Sequence, residues 1–167
     1  MPALEQFSME RCLKPKNFGT VVSRQIHSFS DASSTGYGQV TYPRMESERG
    51  EIHCAFLMGK ARVVPVKTMT ILRLELTAAT VSVRVGEMIA RELDEPVESK
   101  IFWTDSTTVL KYLHNDNRRF NVFVANRVHT IRDATHPHQW RYVESKRNPA
   151  DDASRGLSGR ELIEHHR

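Results

Sequence analysis

Short alternating runs fill the first third of the chain, and runs at helical spacing fill most of the remainder. The stretch QIHSFSDAS sets Ile26 and Ser28 against His27 and Phe29 before a turn, which predicts a strand ending near Asp31. GYGQVTYPRM and EIHCAFLMGKARVVPV are the next two strand candidates, with the turn-like ESERG between them. Three such runs joined by short turns predict an antiparallel meander. The next segment, TILRLELTAATVSVRVGEMIARELDEP, alternates like a strand over residues 80–85. The longer frame favours a helix: Leu72, Leu76, Ala79, Val83, Ala90 and Leu93 share one stripe, and DEP supplies a stop.

SKIFWTDS is a short apolar run closing in Asp-Ser, and STTVLKYLHN reads as a helix capped by Asp105 or Ser106. FNVFVANRVHTIRDAT is a second helix with Phe120, Val124, Val128 and Ile131 on one face. HQWRYVES alternates again as a strand, and NPADDASRG restarts a helix with Asn148 as cap and Pro149 at its first position. The predicted order is β-β-β-α-β-α-α-β-α, an α/β domain whose mixed sheet has its parallel part flanked by helices. Ligands of such sheets gather at the carboxyl ends of the parallel strands. Residues 1–22 read as a lead-in, 23–158 as the domain, and 159–167 as a C-terminal tail, a helix cut short. Trp103 and Trp140 fall in strands and are expected in the core.

Composition narrows the class. The 167 residues suffice for one domain with a real core, and 39% hydrophobic with 26% charged residues is a soluble, globular balance. No apolar run approaches the roughly 18 residues of a membrane span. Cys12 and Cys54 have neither zinc-ligand nor disulfide-framework spacing, so the expected setting is reducing and intracellular. A net charge of +4 and a pI of about 9.3 suit a polyanionic partner without demanding one.

Four acids fall at strand or helix ends facing the predicted ligand edge. Asp31 closes the first strand, Asp105 closes the fourth, Glu75 lies near the start of the long helix, and Asp151 or Asp152 opens the last helix. Each has a plain structural reading. Asp31 can start a turn, Asp105 can cap a helix, and Glu75 can favour a helix dipole. Asp151, three after Asn148, can complete a capping box, which leaves Asp152 as a solvated neighbour. Jointly they point elsewhere. Mg²⁺ takes oxygen ligands from one or two carboxylates plus substrate phosphate, and two such ions can activate water against a phosphodiester. Acids gathered without a cation would repel.

SFSDAS…GYG, RLEL.AA, WTDSTTVL, FVANRV and NPADDASRG occur in an order that resembles the ribonuclease H domain of LTR retrotransposon polyproteins, of the BEL/Pao group, over about residues 24–156. The resemblance implies a ribonuclease H-like fold: a five-stranded mixed sheet of order 3-2-1-4-5 flanked by helices. It implies a metal-dependent endonuclease that cuts the RNA strand of RNA–DNA hybrids during reverse transcription, with Mg²⁺ (or Mn²⁺) as cofactor. Asp31, Glu75, Asp105 and Asp151 would be its catalytic and metal-binding set, with Asp31 bridging two ions, Glu75 and Asp105 on the nucleophile side and Asp151 on the other. The expected partners are the hybrid and the reverse transcriptase domain of the same polyprotein, with no membrane and no small-molecule cofactor. The expected location is the cytoplasm or a virus-like particle.

Many cellular relatives carry a loop histidine before the last aspartate; here Lys146 and Arg147 occupy VESKRNPAD. The eight histidines lack ligand spacing and read as loop or surface residues. Thr70, five before Glu75, matches a family position that contacts a DNA phosphate, against the plainer reading of a helix cap. Arg118, Arg119, Arg127, Arg132 and Arg147 are candidate backbone contacts, against the plainer reading of a solvated charged face. Two rivals remain: a catalytically weak nucleic-acid-binding or scaffold module that keeps the fold, and a related nuclease with another nucleic-acid substrate.

Overall fold

Alternation along β1 (Val21–Ala32) buries Ile26, Ser28 and Ser30 on one face and leaves His27 and Phe29 half-buried on the other. The computed structural model describes residues 12–66, 69–94, 96–115, 119–158 and 161. The first eleven residues of the expected lead-in, and all of the expected tail except Glu161, lie outside these. β2 (Gly36–Ser47) returns antiparallel to β1, pairing Asp31 with Gly38 and His27 with Tyr42. β5 (Ser99–Thr104) runs parallel to β1 on its other side, and β6 (Trp140–Tyr142) runs parallel to β5.

The third predicted strand is two strands. β3 (Ile52–Cys54) and β4 (Met58–Val63) both pair antiparallel with β2, giving six strands in the order β3-β2-β1-β5-β6 with β4 also on β2. The order is that of the expected sheet, with its third strand interrupted. Pro43 supplies the reason. β2 pairs Arg44 with Cys54 and Thr41 with Met58, so two residues of β2 face three of the partner, and Pro43 has no N–H to give the ladder.

α1 (Ile71–Glu92) is a helix throughout, including residues 80–85. Its burial is wider than the predicted stripe: Leu76, Ala79 and Val83 face one cluster, Leu74 and Ala78 a second, Val85 and Ile89 a third. A helix buried on so much of its circumference loses a clean polar face, which is why the local alternation looked strand-like. α2 (Thr107–Leu113) and α3 (Val122–Ala134) close the main core with Phe102 and Trp140. Val124, Val128 and Ile131 are buried as expected, but Phe120 precedes the helix, which Asn121 caps by accepting from the Val124 N–H at 3.1 Å.

α4 (Ala150–Arg155) lies against the sheet face opposite α1. There is no room for side chains between them: a Cβ on Gly38 would meet Ala153 Cβ at 2.9 Å, and one on Gly36 the Ser154 carbonyl at 2.7 Å. Trp140 is core, whereas Trp103 is half-buried on this second face, stacked on Phe29 and donating its indole N–H to His27 Nδ1 at 3.1 Å. His27 is therefore a strand residue with a fixed partner rather than a loop histidine. Burial, with Arg44 and Arg141 nearby, lowers its pKa. Among the described residues no helix is long and apolar enough to cross a membrane.

Candidate active site

The sheet register brings the first two acids together. Ser30 pairs with Thr104 across the parallel β1–β5 ladder, so Asp31 and Asp105 leave adjacent strands side by side. Asp31 is 6% exposed, and its Oδ2 accepts a hydrogen bond from the Ser154 hydroxyl. Burial, with the charges of Asp105 and Asp151 adding to it, pushes its pKa up to about 6 against the opposing pull of Ser154. The neighbouring carboxylates thus add to a rise that burial leads.

Asp105 is not the cap of α2. Ser106 is, accepting from the Val109 N–H at 3.3 Å, while the same hydroxyl donates to Glu75 Oε2 at 2.5 Å. Asp105 instead accepts from the Ser145 hydroxyl at 2.5 Å. Glu75 lies beyond the first turn of α1, so the dipole reading does not account for it. It is half-buried, and burial raises its pKa, with Asp105 adding to the rise and Ser106 opposing it.

Asp151 is the second residue of α4, and its carboxylate accepts from Arg155 Nε at 2.6 Å. The capping box does not form. Asn148 is extended and Pro149 already helical, so Asn148 caps the helix as predicted, but its own N–H donates to the Ser145 carbonyl and not to Asp151. Asn148 is also fully buried and has a second task. Its Nδ2 donates to the Ser30 carbonyl at 3.0 Å, and its Oδ1 accepts from the Ala150 N–H at 3.1 Å. One amide therefore ties the strand end bearing Asp31 to the helix start bearing Asp151. Asp152 is half-buried near Tyr42, whose phenol pKa is raised by burial and then by the Asp152 charge.

Four elements thus deliver four acids to one edge, coupled by charge. Their chemistry fits a hard divalent cation, being all oxygen. Their present arrangement does not close on one: among the described residues no three His, Cys, Asp or Glu side chains converge closely enough to hold a metal ion. Each carboxylate is held by its own local donor, Ser154, Ser106, Ser145 or Arg155. These donors and Asn148 were not singled out as site residues from sequence. Ser154 had one signal, its position a helical turn after Asp151; Ser145 had none.

Thr70 stands in the cap position of α1, where its carbonyl accepts from the Arg73 and Leu74 N–H groups and its hydroxyl makes no capping hydrogen bond. Arg127 is half-buried between α3 and α1. Arg119 is exposed, and Arg147 is exposed with Glu144 Oε2 at 3.8 Å. Arg132 donates to the carbonyls of Tyr112 and Leu113 at the end of α2, a helix-terminating role. Arg118 lies outside the described residues.

Residues 1–106 match the family described as the Pao retrotransposon-like RNaseH-like domain. No curated protein matched. Among solved structures, the chain is similar to RNase H1 of Halobacterium salinarum NRC-1 at 12% identity and TM-score 0.49, covering 84% of this chain and 99% of that one. An LC11-RNase H1 solved with an RNA/DNA hybrid gives the same identity, coverage and TM-score. A foamy viral protease-reverse transcriptase gives 10% identity and TM-score 0.45, covering 72% of this chain and 21% of that one.

Proposed function

This chain belongs to the Pao retrotransposon-like RNaseH-like domain family, and from that premise we propose that it is a metal-dependent endonuclease cutting the RNA strand of RNA–DNA hybrids during reverse transcription. The observation that carries the reading is the charge-coupled set Asp31, Glu75, Asp105 and Asp151, brought from β1, α1, the end of β5 and α4 to one edge. Such a set has no stabilising role of its own, since like charges so placed oppose folding.

Mg²⁺ or Mn²⁺ ions bound there would supply an activated water and a counter-charge for the leaving oxygen. Asp31 would contribute to both ions, Glu75 and Asp105 to one and Asp151 to the other. Ser106, Ser145 and Ser154 orient the carboxylates, and Asn148 fixes the spacing between the two chain segments that carry Asp31 and Asp151. Thr70, Arg119, Arg127 and Arg147 contact the hybrid backbone in this reading. The reverse transcriptase domain of the same polyprotein is the natural partner, in the cytoplasm or a virus-like particle.

One observation favours a second reading, a nucleic-acid-binding module of weak turnover: each of the four acids is held by a local donor, and among the described residues no three converge closely enough to hold a metal ion. A labelled RNA–DNA hybrid, incubated with the protein and Mg²⁺ or Mn²⁺ beside single-stranded and duplex controls, separates the two. Hybrid-selective cleavage lost in Asp31→Asn is the expected result. Tight hybrid binding with no cleavage under either metal would favour the binding module.

A further inference from the structure

Arg73 and Arg127 meet in the groove between α1 and α3, and Arg84 lies on the same stripe of α1 as Arg73, about 16 Å further along the axis. Arg127 lays its guanidinium over the Phe123 ring at 3.4 Å from the centroid, and Arg73 approaches the same ring at 5.1 Å. Arg127 is pinned further: its Nε donates to Thr77 Oγ1 at 3.1 Å and its Nη1 to the Phe123 carbonyl at 3.3 Å. Thr77 in turn donates to the Arg73 carbonyl at 2.7 Å, so one turn of α1 and the first turn of α3 are locked around the aromatic ring. Arg84, exposed on α1, is close enough for its charge to act on Arg127 beside that of Arg73. Among the described residues none of the three has an acidic partner within ion-pair distance, although the chain pairs Arg44, Arg91, Lys100, Arg147 and Arg155 with acids elsewhere.

Like charges brought together and held rigid oppose folding unless an anion compensates them. A guanidinium stacked on an aromatic ring keeps its fork preorganised, so less side-chain freedom is lost when it binds phosphate. Arg73 and Thr77 stand two residues before and after Glu75 in α1, about 3 Å from it along the axis and on another face of the helix. The ring-backed pair is thus level with Glu75 along α1 and turned toward α3. Solvated surface arginines would show neither the shared ring nor the hydrogen bonds that hold Arg127 in place.

We propose that Arg73, Arg84 and Arg127, backed by Phe123 and Thr77, form a clamp for the phosphodiester backbone of one nucleic-acid strand, setting how the duplex lies across the acidic edge. The clamp rests on the hybrid-processing reading for its orientation but not for its ligand chemistry. Arg73 opens the RLEL.AA motif, where Glu75 drew the attention, and Arg84 lies in none of the quoted motifs.

Fluorescence anisotropy of the full chain with an 18-base-pair labelled RNA–DNA hybrid in EDTA, over a salt series, tests it. Arg73→Gln/Arg127→Gln should raise Kd roughly tenfold or more and flatten the log–log salt slope by about two, one per lost phosphate contact. Because Arg127 also joins two helices, Arg84→Gln provides a variant with no packing to lose, with an expected roughly threefold rise and a slope lower by about one. Circular dichroism checks that each variant is folded. Folded variants with native Kd and native salt slope overturn the clamp, as does a native protein without measurable hybrid affinity. Cleavage that proceeds with arginine-independent binding overturns the clamp alone. Arginine-dependent binding with no cleavage under Mg²⁺ or Mn²⁺ overturns the nuclease reading and leaves the clamp standing.

Discussion

Asp151 and Asp152 are adjacent in sequence and unlike in surroundings. Asp151 raises the Asp31 pKa by its charge and is bonded to Arg155, whereas the Asp152 charge acts on Tyr42. Asp151→Ala should cost more hybrid cleavage than the roughly 10–100-fold typical of losing an outer-shell partner of a metal site, and Asp152→Ala should cost little. Equal losses in the two single variants would overturn the assignment. Asp31 gives a prediction with a definite sign. Its folded pKa of about 6 lies above the ordinary aspartate value of 3.8. Its favourable contribution to stability is therefore complete below about 3.8 and is lost as pH rises through about 6. In EDTA the melting temperature should fall across that window, Mg²⁺ should reverse the fall at pH 7, and Asp31→Asn should flatten it. Asn148→Ala removes a fully buried amide with both ends engaged, and should destabilise by about 1–3 kcal/mol in denaturant unfolding.

At the scale of elements, the site depends on how closely α4 approaches β2. Gly36 and Gly38 permit it, because a Cβ at either would press on α4 backbone or on Ala153. Gly38→Ala should push α4 away, with destabilisation of about 1–3 kcal/mol from overpacking and a larger fractional loss of cleavage, since Asp151 rides on that helix. A variant with normal cleavage and a lowered melting temperature would show that α4 placement does not set the active geometry. The interrupted third strand is a smaller lesson of the same kind. The alternation of residues 51–66 was legible, but the break was dictated by Pro43 on the neighbouring strand. Likewise the alternation within residues 80–85 reflects burial of α1 on three sides, which no local window reveals.

For the whole molecule, the modest net charge of +4 conceals an uneven distribution: acids coupled at one edge, and arginines with no ion pair among the described residues in the groove between α1 and α3. Nucleic-acid affinity should therefore fall steeply with salt even though the protein is only moderately basic, and should depend little on base sequence, since backbone contacts carry no sequence information. Matched hybrids of different sequence, titrated from low to physiological salt, check both halves of that expectation.

The sequence by itself determined the type and order of nearly every element and the four acids at their ends. Periodicity and turn chemistry are local properties, and the motif order restricts how those elements can be joined. Only the tertiary structure decided which hydroxyl serves which carboxylate, that the Asn148 cap also bridges two chain ends, and that Arg73 and Arg127 share one aromatic ring. Those relations join residues 31 to 123 positions apart or fall at helix starts whose bonding depends on what packs beside them. Burial and like-charge coupling, which raise the Asp31 pKa, likewise exist only once separate strands and helices meet.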